Sequence, residues 1–266
     1  GERERFVHIL EGSDSGWRIN WQYGKYNEPN ESYKVWMDEK LYLPHFEGQA
    51  AYLLPAIDLA PDGPAGLAYN PGTALGTKWN DYFFASYFKG SAAKSKTQAF
   101  KLKPNGASYK IDDTEDVIVG IASTGVTFAP DGALYINDWK DGYALKSEGR
   151  VWRLDVAEEA NPNRSTTEEL LAIGLKGKSG EELSQLLGHD DMRIRRAAQF
   201  ELAKQQDVNT LLESTHKSET LFKRLHAIWG LGQLSLNVPP NKKGSSPSAT
   251  LNAVTNQNGW TTHQVK

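Results

Sequence analysis

The chain has 266 residues, enough for one large domain or two ordinary ones, with 39% apolar and 24% charged residues and no apolar run near the roughly eighteen that a membrane helix needs. A net charge of −3 supplies no global basic field, which argues against nucleic acid as a partner. Cysteine is absent, so disulfides, thiol catalysis, cysteine-ligated zinc and covalently attached c-type haem are excluded within these residues.

Up to about residue 156, short apolar or alternating runs are broken by Gly, Pro, Asn and Asp, the punctuation of β-structure. The predicted strands are "RFVHIL", "GLAYNPG", "DYFFASYF", "QAFKLK", "DVIVGI", "ALYIND" and "RVWRLD". The pattern repeats. Gly66-Leu67-Ala68-Tyr69-Asn70-Pro71-Gly72 lines up with Gly125-Val126-Thr127-Phe128-Ala129-Pro130-Asp131, "DYFFASYFKG" with "ALYINDWKDG", and "QAFKL" with "RVWRL". Each unit reads strand, turn, strand, variable loop, strand, and a spacing of roughly forty to sixty residues favours propeller blades over a sandwich. In this reading Pro130-Asp131-Gly132 is first a hairpin turn.

From about residue 165 the spacing turns helical, in "STTEELLAIGL", "GEELSQLLG", "DMRIRRAAQFELAKQ", "VNTLLEST" and "ETLFKRLHAIWGLGQL". A helix start is expected at Thr166 or Thr167, after a linker "ANPNRS" at 160–165. The segment from Arg195 to Leu202 aligns with that from Arg224 to Leu231, and Ala198 and Ala227 stand where paired helices must approach closely. The sequence therefore predicts C-terminal blades of a six-bladed-type β-propeller over 1–158, an all-α HEAT-like solenoid over 159–237 and a polar, disordered tail over 238–266. A propeller ring needs at least four blades and about three are visible, so the earlier blades are expected outside this sequence.

The segments "GSDSGW", "HFEGQAAYLLP", "DGPAGLAYNPG", "FAPDGALYINDW" and "GRVWRLD", followed by "GHDDMRIRRAAQFELA", resemble the membrane-bound dehydrogenase family of the PVC-type haem-binding group. In that family a glucose/sorbosone-dehydrogenase-like propeller precedes HEAT repeats and a cytochrome c domain. The resemblance implies a periplasmic or secreted quinoprotein-like oxidoreductase acting on sugars or alcohols. It also implies electrons passed to a haem domain outside this chain, and pyrroloquinoline quinone and calcium as cofactors. Two positions depart from the family's pattern: Ala122 and Thr124 stand where its quinone-binding members carry arginines. The rival expectation is a non-catalytic module that binds a glycan or a protein partner.

Candidate site residues follow. Trp139, Tyr87 and Phe88 end corresponding strands and can form an aromatic floor for a sugar ring or planar cofactor, with Lys89 as an anion contact. Blade-to-blade packing is the alternative role for each ring. His45 in "LPHFEG" is a candidate general base. Asp131, Asp138 and Asp141 offer oxygen ligands of the kind calcium takes, against the simpler role of turn caps and solvated loop ends. Arg193, Arg195, Arg196, Lys223 and Arg224 form either a docking ridge for an acidic partner or the solvated sides of paired helices.

Overall fold

The computed structural model describes residues 5–10, 12–13, 44–49, 56–60, 63–144, 146–157, 159–216 and 220–236. The predicted tail at 238–266 lies outside the described residues, as do "GSDSGW" after Ser13 and most of "HFEGQAAYLLP" after Gln49. The described residues fall into two compact units. One draws on Gly1–Tyr69, Asp81–Thr127 and Tyr135–Arg153; the other draws on Asn70–Asn80, Phe128–Leu134 and Leu154–Lys266. Two hairpin turns of the β half, 70–80 and 128–134, therefore group with the helices.

Among the described residues three sheets form in sequence order, the first two antiparallel. Strands β1 (Arg5–Val7) and β2 (Ala56–Leu59) make a two-stranded sheet. Strands β3 (Pro64–Tyr69), β4 (Phe83–Tyr87), β5 (Lys96–Asn105) and β6 (Ser108–Val119) make a four-stranded meander, and β7 (Ser123–Phe128), β8 (Leu134–Asp138) and β9 (Arg150–Leu154) a three-stranded one. The alternation of side chains across β4 explains how the sheets stack. Phe83, Ala85 and Tyr87 share a face with Phe100, against which Phe6 and Ala60 pack. Ser86, on the opposite face, joins buried Thr97 and Ser123 in a hydroxyl network, with Thr97 Oγ1 and Ser123 Oγ 2.9 Å apart.

Glycine sets the closest approach between the second and third sheets. A Cβ on Gly66 of β3 would stand 2.9 Å from the Gly125 Cα of β7, so only hydrogen fits there. These two glycines occupy matching positions of the repeated sequence unit.

The second unit contains α1 (Arg164–Ile173), α2 (Gly180–Leu186), α3 (Met192–Gln205), α4 (Val208–His216) and α5 (Leu221–Leu236). Spacing of three and four residues along α3 buries Ile194, Ala198, Leu202 and Ala203. Ile194, Ala198 and Leu202 join Leu175, Leu183, Leu187, Leu211, Leu212, Ala227 and Leu231 in one apolar core. Ala198 and Ala227 are both fully buried. Helix α2 begins with a capping box between Ser179 and Glu182. Helix α1 begins at Arg164 rather than at Thr166 or Thr167, because those threonine hydroxyls donate back to the Asn163 carbonyl inside the first turn.

The turns of this unit are tied to the helices by buried polar groups. Asp191, the N-cap of α3, is fully buried and accepts from Thr73 Oγ1 at 2.7 Å and from Arg193 Nη2 at 2.9 Å. Arg193 Nη1 also donates to the Ala129 carbonyl at 2.8 Å, and Met192 N–H to the Pro71 carbonyl at 2.7 Å. Arg164 grips Asp155 with two parallel bonds of 2.6 and 2.8 Å and donates from Nε to the Asp131 carbonyl. The Pro130-Asp131-Gly132 turn is thus an anchor for the helical segment: a Cβ on Gly132 would lie 2.6 Å from Arg164 Nε.

Candidate functional site

An aromatic residue directly follows each of strands β4 and β8, Phe88 after Tyr87 and Trp139 after Asp138, and the loops that begin there bring the rings together. Trp139 N–H donates to the Ala122 carbonyl at 2.9 Å, which fixes the residue as it leaves β8. Gly142 then donates to the Trp139 carbonyl at 2.8 Å and Tyr143 to the Gly90 carbonyl at 3.2 Å, so the turn closes against the loop after Phe88. Gly142 has φ +63 and a Cβ there would collide with the Gly90 carbonyl; this turn requires glycine on both counts.

The result is a three-ring cluster. Phe88 lies 5.5 Å from Trp139 and 5.5 Å from Tyr143, and Trp139 lies 5.3 Å from Tyr143 in an edge-to-face arrangement. Phe88 and Trp139 are half-buried, while Tyr143 is 69% exposed and offers a free ring surface. A shallow groove of about 400 Å³ adjoins Trp139 and is lined by Thr124, Asn137, Asp138, Gly149, Arg150 and Val151. Arg150, whose guanidinium carbon sits 5.8 Å from the Trp152 ring centre, gives the groove a cation beside the Trp139 indole.

Of the residues singled out in the sequence, Phe88 and Trp139 meet in this cluster. Lys89 follows Phe88 on an exposed loop, its backbone N–H donating to Ser95 Oγ at 2.9 Å. Tyr87 does not join them, because one step along a strand reverses the side chain: it is buried with Ala85 and Phe100 on the other face of the second sheet. His45 lies on the exposed turn at 44–49, where its N–H donates to Gln49 Oε1 at 2.6 Å.

The three carboxylates each have a separate partner. Asp131 Oδ1 accepts from Ala133 N–H at 3.0 Å and caps its turn. Asp138 is buried, its two oxygens accepting from Ala122 N–H at 3.0 Å and Trp152 Nε1 at 2.9 Å. Asp141 pairs with Lys146 at 2.9 Å, and that hydrogen bond holds its carboxyl below the usual range. Among the described residues no group of three His, Cys, Asp or Glu side chains is placed to hold a metal ion, so these carboxylates do not fit a calcium site. Nor do the quinone positions fit an anionic tricarboxylate. Ala122 is a fully buried methyl group, and Thr124 Oγ1 reaches only the Asn137 carbonyl, at 3.5 Å. The basic ridge is also divided, since Arg193 and Arg195 turn inward to carbonyl oxygens while Arg196 and Arg224 remain exposed.

Sequence reasoning missed Tyr143, Asn137 and Arg150. Tyr143 follows an Asp-Gly pair, a signal for a turn that presents its next side chain, whereas Arg150 reads simply as the start of a strand.

No family model matches this chain and no curated protein does. Among solved structures, part of the chain is similar to a glucose dehydrogenase, at 18% identity and a TM-score of 0.30, over 39% of this chain and 29% of that one. It is similar to the same degree, 18% and 0.30, to a protein described as an oxidoreductase (glucose dehydrogenase) from Thermus thermophilus, over 40% of this chain and 30% of that one. The chain therefore spans less than a third of the length of either structure, and a likeness this slight fixes neither fold nor activity.

Proposed function

We propose that the chain supplies a carbohydrate-binding face built on successive β-propeller blades, with the helices forming a HEAT-like solenoid in the same chain. Support for the propeller is the run of sheets in sequence order and the contact of equivalent glycines, Gly66 and Gly125, between neighbouring sheets. Support for the solenoid is the shared core of α2 to α5, in which Ala198 and Ala227 occupy equivalent repeat positions.

The binding reading rests on the cluster of Phe88, Trp139 and Tyr143 beside a groove carrying Asn137 and Arg150. Sugar rings present apolar C–H faces that stack on aromatic rings, while their hydroxyls take hydrogen bonds from amide and guanidinium groups. The cation at Arg150 favours a saccharide with acidic groups. Binding of the full chain to a panel of immobilised neutral and uronate-containing glycans tests this reading. Saturable retention of at least one class is expected, weakening with salt for acidic glycans; no retention across the panel overturns it.

A second reading is favoured by the order of the sequence motifs. In it the propeller belongs to a periplasmic or secreted sugar oxidoreductase that hands electrons to a cytochrome c domain outside these residues. Its test is reduction of an artificial electron acceptor by the longer protein with sugar and quinone present; no activity over a broad sugar panel removes it.

A further inference from the structure

The two repeated β units differ by one strand. The second sheet runs β3-β4-β5-β6, whereas the third stops at β9, so among the described residues β9 is paired along one edge only. Equivalence of "QAFKL" with "RVWRL" makes β9 the counterpart of β5, with Gln98 matched to Arg150 and Lys101 to Arg153. Among the described residues the third sheet has no counterpart of β6. An edge of this kind is a template for a further strand.

What β6 places opposite β5 shows what β9 can receive. Gln98 faces Asp116 and Lys101 faces Asp112 across the second sheet. Gln98 Nε2 donates to Asp116 Oδ1 at 2.7 Å, and Lys96 and Lys103 pair with the same two aspartates. Strand β9 carries arginine at both matching positions, and every residue from Arg150 to Arg153 is exposed, Val151 by 66%. A strand with carboxylates at these two places meets a guanidinium at each, with Val151 and Trp152 between them.

Other occupants fit less well. A second copy paired through β9 sets arginines beside arginines, which is unfavourable. The continuation of the chain is held elsewhere, since Arg164 grips Asp155 and Asn161 N–H donates to the Leu75 carbonyl at 2.8 Å.

We propose that β9 docks an extended acidic segment of a partner protein as the fourth strand of the third sheet, with carboxylates opposite Arg150 and Arg153. Main-chain hydrogen bonds supply the affinity and the two arginines set the register. The site does not rest on the carbohydrate reading: Arg150 lines that groove, but Arg153 does not.

The test titrates a fluorescently labelled peptide of the β6 sequence, residues 108–119, into the full chain, with anisotropy to measure binding and amide hydrogen exchange to locate it. Saturable binding that weakens with salt is expected, with exchange slowed over residues 150–154. A peptide in which Asp112, Asp113, Glu115 and Asp116 are replaced by lysine is expected to bind at least about tenfold more weakly. Arg153→Glu is expected to weaken the acidic peptide by about three- to tenfold and to strengthen the lysine peptide. The comparison of the two peptides on the unaltered chain stands even where that variant folds poorly. No saturable binding, slowed exchange confined to other residues, or equal binding of the two peptides overturns the proposal. None of these results depends on glycan retention, so the two readings fail separately.

Discussion

Single residues decide where sheets and rings meet. Gly66 and Gly125 let β3 and β7 approach at a distance where a methyl group on Gly66 would lie 2.9 Å from the facing Cα. The obstacle is backbone, which cannot swing aside as a side chain does. Gly66→Ala is therefore expected to lower stability by about 1–3 kcal/mol, measured by urea unfolding, with no change in the urea dependence beyond error. Residue identity also explains what the sequence can reveal about the site. Treating Tyr87, Phe88 and Trp139 alike as strand-end aromatics pairs Phe88 with Trp139, but alternation along the strand turns Tyr87 to the opposite face. Arg150 and Tyr143 are illegible as site residues because their role depends on which loops close over which, information that spacing along one chain does not carry.

At the scale of elements, the repeated strand–turn–strand pattern and the change of period near residue 160 are readable because both rest on local periodicity. Strand β6 is legible only at its apolar end, "DVIVGI". Its charged half is hidden because its stabilising partners lie across the hairpin, as in Lys96–Asp116 at 2.8 Å and Lys103–Asp112 at 2.5 Å. The anchoring of α3 is equally hidden, since Thr73 and Asp191 are 118 residues apart. Burial opposes ionisation of Asp191, but the bonds from Arg193 and Thr73 outweigh it and hold the carboxyl below its usual range. Its contribution is present above the ordinary carboxylate range and is lost as pH falls through the lowered value. Asp191→Ala strips the cap from α3 and leaves Arg193 half-paired, and about 2–4 kcal/mol of stability should disappear in denaturant titration at pH 7.

Helices α3 and α5 share a second polar chain. Arg195 Nε approaches His226 Nε2 at 3.4 Å, His226 Nδ1 lies 2.7 Å from Gln199 Oε1, and Gln199 Nε2 donates to Gln233 Oε1 at 2.8 Å. This order fits a neutral His226 that accepts at Nε2 and donates at Nδ1. Burial first, then Arg195 and Arg196, depresses its pKa from 6.5 to about 4. Between those values the unfolded chain binds the proton and the folded chain does not, so stability falls as pH drops through this window. Thermal unfolding followed from about pH 7 to about pH 5 should show the midpoint falling by a few degrees, and His226→Gln should flatten that dependence. An equal slope in the variant would assign the pH effect to another group.

For the whole molecule, sheets that stack through small residues carry a surface where loop-borne aromatic rings cluster beside a cation. Phe88 and Trp139 lie directly after strands, and a glycine turn supplies the close approach of the loops. Sequence alone reaches the repeat pattern and two of the three rings; the groove and its guanidinium emerge only when β7, β8 and β9 are assembled. The measurement that tests the carbohydrate-binding face most directly is calorimetric titration of a retained glycan into the wild-type chain and into Trp139→Ala, with unfolding midpoints recorded for both. Saturable binding is predicted, weakened by at least about tenfold in Trp139→Ala while the fold remains intact. Equal affinity in the two proteins would contradict a binding face built on this ring.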